Sequence, residues 1–145
     1  HESIRSVVNS VDLKLKKRGG SVKANLIATD DIIDCDKLHL TNILYNIIDN
    51  SLKYTSAKPK IFIETSEMER FLLLKISDNG IGIAQEHIQE VKKKFYRVPT
   101  GRIHNVKGFG LGLYYVNQVC KAHHWQWSIK SEIGEGTSIL FKIKR

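Results

Sequence analysis

The sequence predicts an α/β fold in which helices and strands follow one another along a single domain of 145 residues. Three observations carry this expectation. Residues 2 to about 18 and 36 to about 54 repeat apolar side chains at the spacing of amphipathic helices. Residues 60–66 and 71–77 read as two strands joined by a charged turn, Glu67-Met68-Glu69-Arg70. The end of the chain alternates Trp125, Trp127 and Ile129 with Ile139, Phe141 and Ile143 about a glycine-rich turn, the pattern of a half-buried strand pair.

With 41% hydrophobic residues the chain can bury one core and is too short for two comfortable ones. No apolar run approaches the ~20 residues that span a membrane, so no direct membrane insertion is expected. His1-Glu2-Ser3 resembles neither a signal peptide nor a natural start, and the chain reads as an excised piece, 1–145, of a longer protein. Cys35 and Cys120 stand far apart, which argues against a zinc site or a disulfide framework and fits a reducing compartment. The net charge is +8 and the excess is local: between Val91 and Ser131 there are eight basic residues and no acidic one. Such a region attracts phosphates, whether of nucleic acid, an anionic membrane or a nucleotide.

Taken in order, Ile4, Val7, Val8, Val11 and Leu15 form the apolar stripe of the first helix, which should end at Gly19-Gly20. Ser21–Ala28 and Ile32–Cys35 are short candidate strands about the turn-like Thr29-Asp30-Asp31. Asp36 caps the second helix, with Leu40, Ile43, Leu44, Ile47, Ile48 and Leu52 on one face. Opposite them stand Asn42, Asn46, Asn50 and Lys53. Solvated faces generally carry Lys and Glu; short amides in register with a lysine suit a hard cation or phosphates. Tyr54 either stacks on a base or closes the helix onto the core.

The strand 71–77 delivers Asp78 to the mouth of a sheet, followed by Gly80 and Gly82. A carboxylate at the end of a buried strand needs hydrogen-bond donors. Glycine lets the backbone turn sharply and a flat molecule approach closely. An Asp-x-Gly-x-Gly run is equally the sequence of a tight turn with Asp78 capping the next helix. That helix is expected over Ala84 to about Lys93 and leads to Phe95-Tyr96-Arg97. From Val98 to Lys107 periodicity is lost, as in a lid. Gly108, Gly110 and Gly112, with Leu111 and Leu113, then open a helix to about Ala122, whose N-terminal N–H groups make an anion site without being a P-loop.

This ordered set resembles the catalytic and ATP-binding domain of bacterial sensor histidine kinases, over nearly the whole chain. Asn46 to Tyr54 is similar to the family's N box, Asp78-Asn79-Gly80-Ile81-Gly82 to its first glycine box and Phe95-Tyr96-Arg97 to its F box. Gly108 to Leu113 and Gly134-Glu135-Gly136-Thr137 are similar to the remaining glycine boxes. The resemblance implies a two-layer α/β sandwich of the Bergerat type, a mixed, mostly antiparallel sheet of about five strands with helices on one face and an ATP lid. It implies that Asp78 accepts the adenine 6-amino group and that Asn50, helped by Asn46, holds Mg2+. Lys53 and Arg97 would meet phosphates. Tyr54, Gly80, Gly82, Phe95, Tyr96, Thr137 and the second glycine box would complete the ATP site. The implied partner is a histidine-bearing dimerisation domain of the same protein, with a response regulator reached indirectly. The implied location is the cytoplasm, with the parent tethered to the inner membrane.

Hydrolysing members of the same superfamily carry a glutamate one helical turn before the magnesium asparagine. This chain has Asn46 there, and an amide cannot take a proton from water, so the γ-phosphate should be kept for transfer. No histidine-bearing acceptor helix is present in the sequence, so the piece should bind Mg-ATP without phosphorylating itself. The chain departs from the family pattern at Lys92, where an aromatic is common, and at His124-Trp125, where Gly-Gly is common. Two other readings stand beside this one: a serine kinase of the anti-sigma type on the same fold, and a basic module gripping nucleic acid or membrane. The second is disfavoured because few exposed aromatics interleave with the basic residues, and no nucleic-acid partner is expected.

Overall fold

The computed structural model describes residues 1–99 and 108–145; the centre of the expected lid lies outside the described residues. The first helix, α1 (Glu2–Lys17), buries Ile4, Val7, Val11 and Leu15, the stripe expected of it except for Val8, which is half-buried. It ends where Gly19 takes φ +62° and the N–H of Gly20 donates to the Leu15 carbonyl at 2.9 Å. Arg18 then donates to the carbonyls of Leu52 and Thr55, tying this end to the end of the second helix.

Strand β1 (Ser21–Leu26) is followed by an irregular stretch rather than the expected second strand over Ile32–Cys35. Ile32 to Cys35 carry strand-like side chains, yet the chain has already left the sheet. The last ladder bond is Ile27 N–H to the Thr65 carbonyl, and the N–H groups of Thr29 and Asp30 both turn to the Glu67 carboxylate. Ile32 is left exposed.

Helix α2 (Lys37–Lys53) starts where the Asp36 carboxylate accepts from the N–H groups of Leu38 and His39. Its apolar face is buried through Ile43, Leu44, Ile47, Ile48 and Leu52, with Leu40 half-buried. Burial of each such side chain is worth about 1.5 to 3 kcal/mol. Because α2 is the crossover between them, β1 and β2 (Lys60–Met68) pair in parallel, Ser21 against Lys60. β2 and β3 (Phe71–Asp78) form the expected hairpin, with a turn tighter than expected. Both strands extend to Met68 and Phe71, and Glu69 makes the reversal at φ +52°.

The expected helix over 84–93 is instead two 3-10 turns, Gln85–His87 and Glu90–Lys92. Its buried apolar side chains are Ile88, just after the first turn, and Val91 within the second. Helix α3 (Gly112–Ala122) precedes β4 (Gln126–Glu132) and β5 (Gly136–Lys144). His124 takes φ +55° and supplies the turn that Gly-Gly would make. The sheet order is β1-β2-β3-β5-β4, with only β1–β2 parallel. Alternate residues of β2 to β5 are buried in one core with the apolar faces of the three helices, β1 adding the half-buried Val22 and Leu26, while the opposite face, including Phe62 and Leu140, is exposed. Trp125 is buried and Trp127 stacks on Phe141 at 6.0 Å, which makes the tryptophans core rather than a platform. Among the described residues no helix is long and apolar enough to cross a membrane.

Candidate functional site

Parity along the central strands decides what the core side of the sheet offers at its end. On β3 the inward positions run Leu72, Leu74, Ile76 and then Asp78; on β5 they run Ile143, Phe141, Ile139 and then Thr137. Asp78 and Thr137 are direct partners in the β3–β5 register. A carboxylate therefore stands where the apolar floor stops.

Its donors are all present. One carboxylate oxygen, Oδ1, accepts from the N–H of Gly80 at 2.9 Å and of Thr137 at 3.2 Å, and the other, Oδ2, accepts from the Ser51 hydroxyl at 2.7 Å. A carboxylate offers about four lone-pair sites. Among the described residues three are in use, which leaves one at Oδ2, on the side chain that lines a cavity of about 330 Å³. Asp78 caps no helix. Nothing in the sequence pattern singles out Ser51, which falls on the apolar face of α2; its burial beneath a strand-end carboxylate is what gives it a role.

The glycines are needed for contact more than for turning. A Cβ on Gly80 would lie 2.9 Å from the Asp78 Oδ1, and one on Gly82, at φ +74°, would lie 1.9 Å from the Glu132 carbonyl oxygen. Ser131 holds the same corner. Its hydroxyl donates to the Gly136 carbonyl at 2.7 Å, accepts from the Ile83 N–H at 2.8 Å and stands 2.9 Å from the Thr137 hydroxyl. Since the single Ser131 hydrogen is committed, Thr137 is the donor of that pair.

The cavity lies between α2, the strand ends and the chain entering α3. Ile47, Ile76, Ile81, Ile83 and Ile139 give it an apolar interior, and Asn46, Asp49, Asn50, Lys53 and Tyr54 line it from α2. Across from them stand Tyr96, Arg97 and the segment Gly108 to Leu113. The structure thus brings together every residue that the sequence singles out as a site residue except Phe95. Phe95 takes φ +63°, bonds its N–H to the Gly110 carbonyl, and turns its exposed ring away under Lys94. It fixes the turn before Tyr96 without lining the cavity. Tyr96 is held by a 2.7 Å hydrogen bond to Nδ1 of His87.

Lys53 lines the cavity and is paired with Asp49 at 2.5 Å. Asp49 is inconspicuous in the sequence because it lies between the apolar and amide faces. The Asn46 Nδ2 group donates to the Asn42 carbonyl at 2.8 Å, so its Oδ1 is the end left toward the start of α3, where a Cβ on Gly112 would meet it at 2.9 Å. Among the described residues no side chain caps α3, whose first residues, Gly112 and Leu113, stand at the cavity wall. Among the described residues no group of three His, Cys, Asp or Glu could cage a metal ion. The amide oxygens of Asn50 and Asn46 fit a cation that takes most of its ligands from phosphates and water, as Mg2+ does. The basic region is less concentrated than its sequence suggests: Arg97 lines the cavity, whereas Lys92 lies over Trp127 and Lys93 pairs with Glu90.

A half-open sandwich with a carboxylate at the foot of an apolar slot and amides and an uncapped helix start at its mouth is the architecture of a nucleotide-binding domain. Residues 35–145 match the profile of the histidine kinase-, DNA gyrase B- and HSP90-like ATPases, and the chain belongs to that family. It is 38% identical over 145 residues to the sensor protein RprX of Bacteroides fragilis, covering 99% of this chain and 28% of that protein. It is 29% identical to the sensor protein SrrB of Staphylococcus aureus, covering 99% of this chain and 25% of that protein. The chain therefore spans about a quarter of the curated relatives it matches. In fold it is similar to full-length ShkA in complex with AMPPNP, with a TM-score of 0.85 at 21% identity over 98% of this chain and 29% of that one. It is also similar to the nucleotide-free catalytic domain of the histidine kinase ThkA, with a TM-score of 0.84 at 21% identity over 99% of this chain and 90% of that one. These matches make it a histidine-kinase-type ATPase domain, and neither the serine-kinase nor the basic-module reading is favoured by them.

Proposed function

We propose that this domain binds Mg-ATP in the cavity and donates the γ-phosphate to a histidine on a dimerisation segment of its parent chain. The observation that carries the reading is Asp78, a carboxylate lining a largely apolar cavity whose Oδ2 accepts only the Ser51 hydroxyl among the described residues. An acceptor-only group selects a base that presents an amino group. With the six-position of the purine turned to Asp78, adenine offers its amino group there, whereas guanine offers a carbonyl oxygen, which would be repelled.

With adenine against Asp78 and Thr137, the phosphates extend toward α2 and the start of α3. The uncapped N–H groups of α3 meet them, Arg97 adds positive charge, and Lys53 reaches them by leaving Asp49. Asn50, with the Asn46 Oδ1, would hold Mg2+, which supplies charge neutralisation on the phosphate oxygens when bound. Asn46 offers no base for water, so the terminal phosphate is kept for the acceptor. The parent is proposed to act at the inner membrane with this domain on the cytoplasmic side, and a response regulator takes the phosphate from the histidine. The domain 1–145 is proposed to be one folding unit.

The test has two stages. A non-hydrolysable ATP analogue is titrated with and without Mg2+, with a GTP analogue in parallel; Mg-dependent binding of the adenine compound alone is expected, and equal binding of both would overturn the base assignment. The domain is then mixed with a histidine-bearing helical dimer from the parent and γ-labelled ATP. Acid-labile, base-stable label on that dimer is expected, and acid-stable label on serine would transfer the reading to the serine-kinase alternative.

A further inference from the structure

Two roots border the cavity opposite α2, the second 3-10 turn (Glu90–Lys92) and α3, and one side chain of β4 meets both. The Trp127 Nε1–H donates to Asn117 Oδ1 of α3 at 3.3 Å. On the other root, the Lys92 ammonium lies 4.6 Å from the centroid of the Trp127 ring. The ring itself is immobilised by near-parallel stacking on the buried Phe141, at 6.0 Å and 9°.

Of the three consecutive lysines only Lys92 turns inward. Lys93 and Lys94 are exposed, the former on Glu90, while Lys92 is partly buried beside Cys120. Burial lowers the Lys92 pKa from its ordinary value, and burial of Cys120 pushes that thiol up to about 12, so the thiol is neutral near pH 7. No carboxylate among the described residues pairs with Lys92, which leaves the ring face as the counterpart of its charge. Cation–π attraction strengthens as water is removed. Lys92 adjoins Val91, which lines the cavity, and stands four residues before Tyr96, which lines it too.

We propose that Lys92 and Trp127 form a clamp that fixes the spacing of these two roots, and that Lys92 is thereby a positioning residue for nucleotide retention. It touches no nucleotide. It keeps Val91 and Tyr96 against the cavity while the Asn117 bond keeps α3 in place. Without the charge, the first root is free to move outward, and the bound nucleotide leaves sooner although its own contacts are unchanged. This rests on the nucleotide reading above.

The test uses Trp125→Phe as background, so that Trp127 is the sole tryptophan, and adds Lys92→Gln, Lys92→Arg or Lys121→Gln. The last removes the same charge from an exposed site on α3. Release of a bound ATP analogue is timed by displacement, affinity is measured by calorimetry, and Trp127 emission is recorded with and without nucleotide. Lys92→Gln is expected to shift nucleotide-free emission and to speed release about fivefold, with association and melting temperature little changed. Lys92→Arg, which keeps a cation for the ring, should release within about twofold of the background protein, and Lys121→Gln should match it. Release from Lys92→Gln at the background rate, or equal acceleration by Lys121→Gln, would overturn the clamp while leaving ATP binding intact. Failure of the background protein to bind any nucleotide would overturn the functional reading, and the retention role with it.

Discussion

Replacing Asp78 by asparagine removes one charge and one acceptor at the foot of the cavity, and the surrounding hydrogen bonds dictate how the new amide must sit. The N–H groups of Gly80 and Thr137 both need an acceptor at Oδ1, so the amide oxygen must take that place. The amide NH2 then occupies the Oδ2 position. Ser51 can adapt, because its hydroxyl already lies 3.1 Å from the Ile47 carbonyl and can donate there while accepting from the new NH2. The fold should therefore survive with a loss of about 1 kcal/mol, a charged hydrogen bond becoming neutral. The nucleotide cannot adapt, since an NH2 group now faces the adenine amino group. Losing the charge-assisted bond costs about 2 to 3 kcal/mol, roughly 30- to 150-fold in Kd. The same NH2 suits a guanine carbonyl, so the ATP preference over GTP should narrow. Calorimetric titration of both analogues against wild type and Asp78→Asn, with melting curves for each, measures all three quantities. A variant that keeps its melting temperature and binds the ATP analogue within threefold of wild type would refute the role given to Asp78.

Three further outcomes are expected. Gly136→Ala places a Cβ 2.0 Å from the Asp78 carbonyl oxygen at φ +108°, so urea denaturation should show a loss of about 3 kcal/mol or more, and residual folded protein should bind nucleotide poorly. Phe141→Ala empties a fully buried site shared with Trp127 and should cost about 3 to 5 kcal/mol in the same assay, with a red shift of tryptophan emission in the folded state. Burial raises the Cys120 thiol pKa to about 12, from an ordinary value of 9.0. Above pH 9 the unfolded chain therefore releases this proton while the folded one keeps it, and stability should fall by up to about 1.4 kcal/mol per pH unit until the folded thiol ionises. Denaturation curves between pH 9 and 10 should show that slope, and Cys120→Ala should lack its share of it.

How much of this is legible in the sequence depends on whether a feature is local. The stripes of α1 and α2, the Asp36 cap and the alternation of β3 and β5 are patterns within one element, and each lies where the periodicity places it. Ile32 to Cys35 have the right side chains for a strand, but the chain has been drawn off the sheet by the bonds of Thr29 and Asp30 to Glu67. Local pattern cannot see that competition. Phe95 is similar: its residue type suits a nucleotide ring, and a left-handed backbone sends it outward. Ser51 and Asp49 are legible only once α2 is docked on the sheet, because neither lies within the amide stripe. Lys92 reads as a defect at a position where an aromatic is expected; the missing ring stands on β4, thirty-five residues further along the chain, as Trp127.

The register of β3 against β5 carries one more consequence. Asp78 and Thr137 are 59 residues apart and become neighbours only when the central pair of the sheet has formed. A ligand held between them cannot be retained by a partly opened domain. Its binding energy should therefore appear as slower hydrogen exchange of the β3 and β5 amides, throughout their length and far from the cavity, by RT ln(1 + [L]/Kd). Exchange at the β1 edge, which can fray without parting Asp78 from Thr137, should hardly respond.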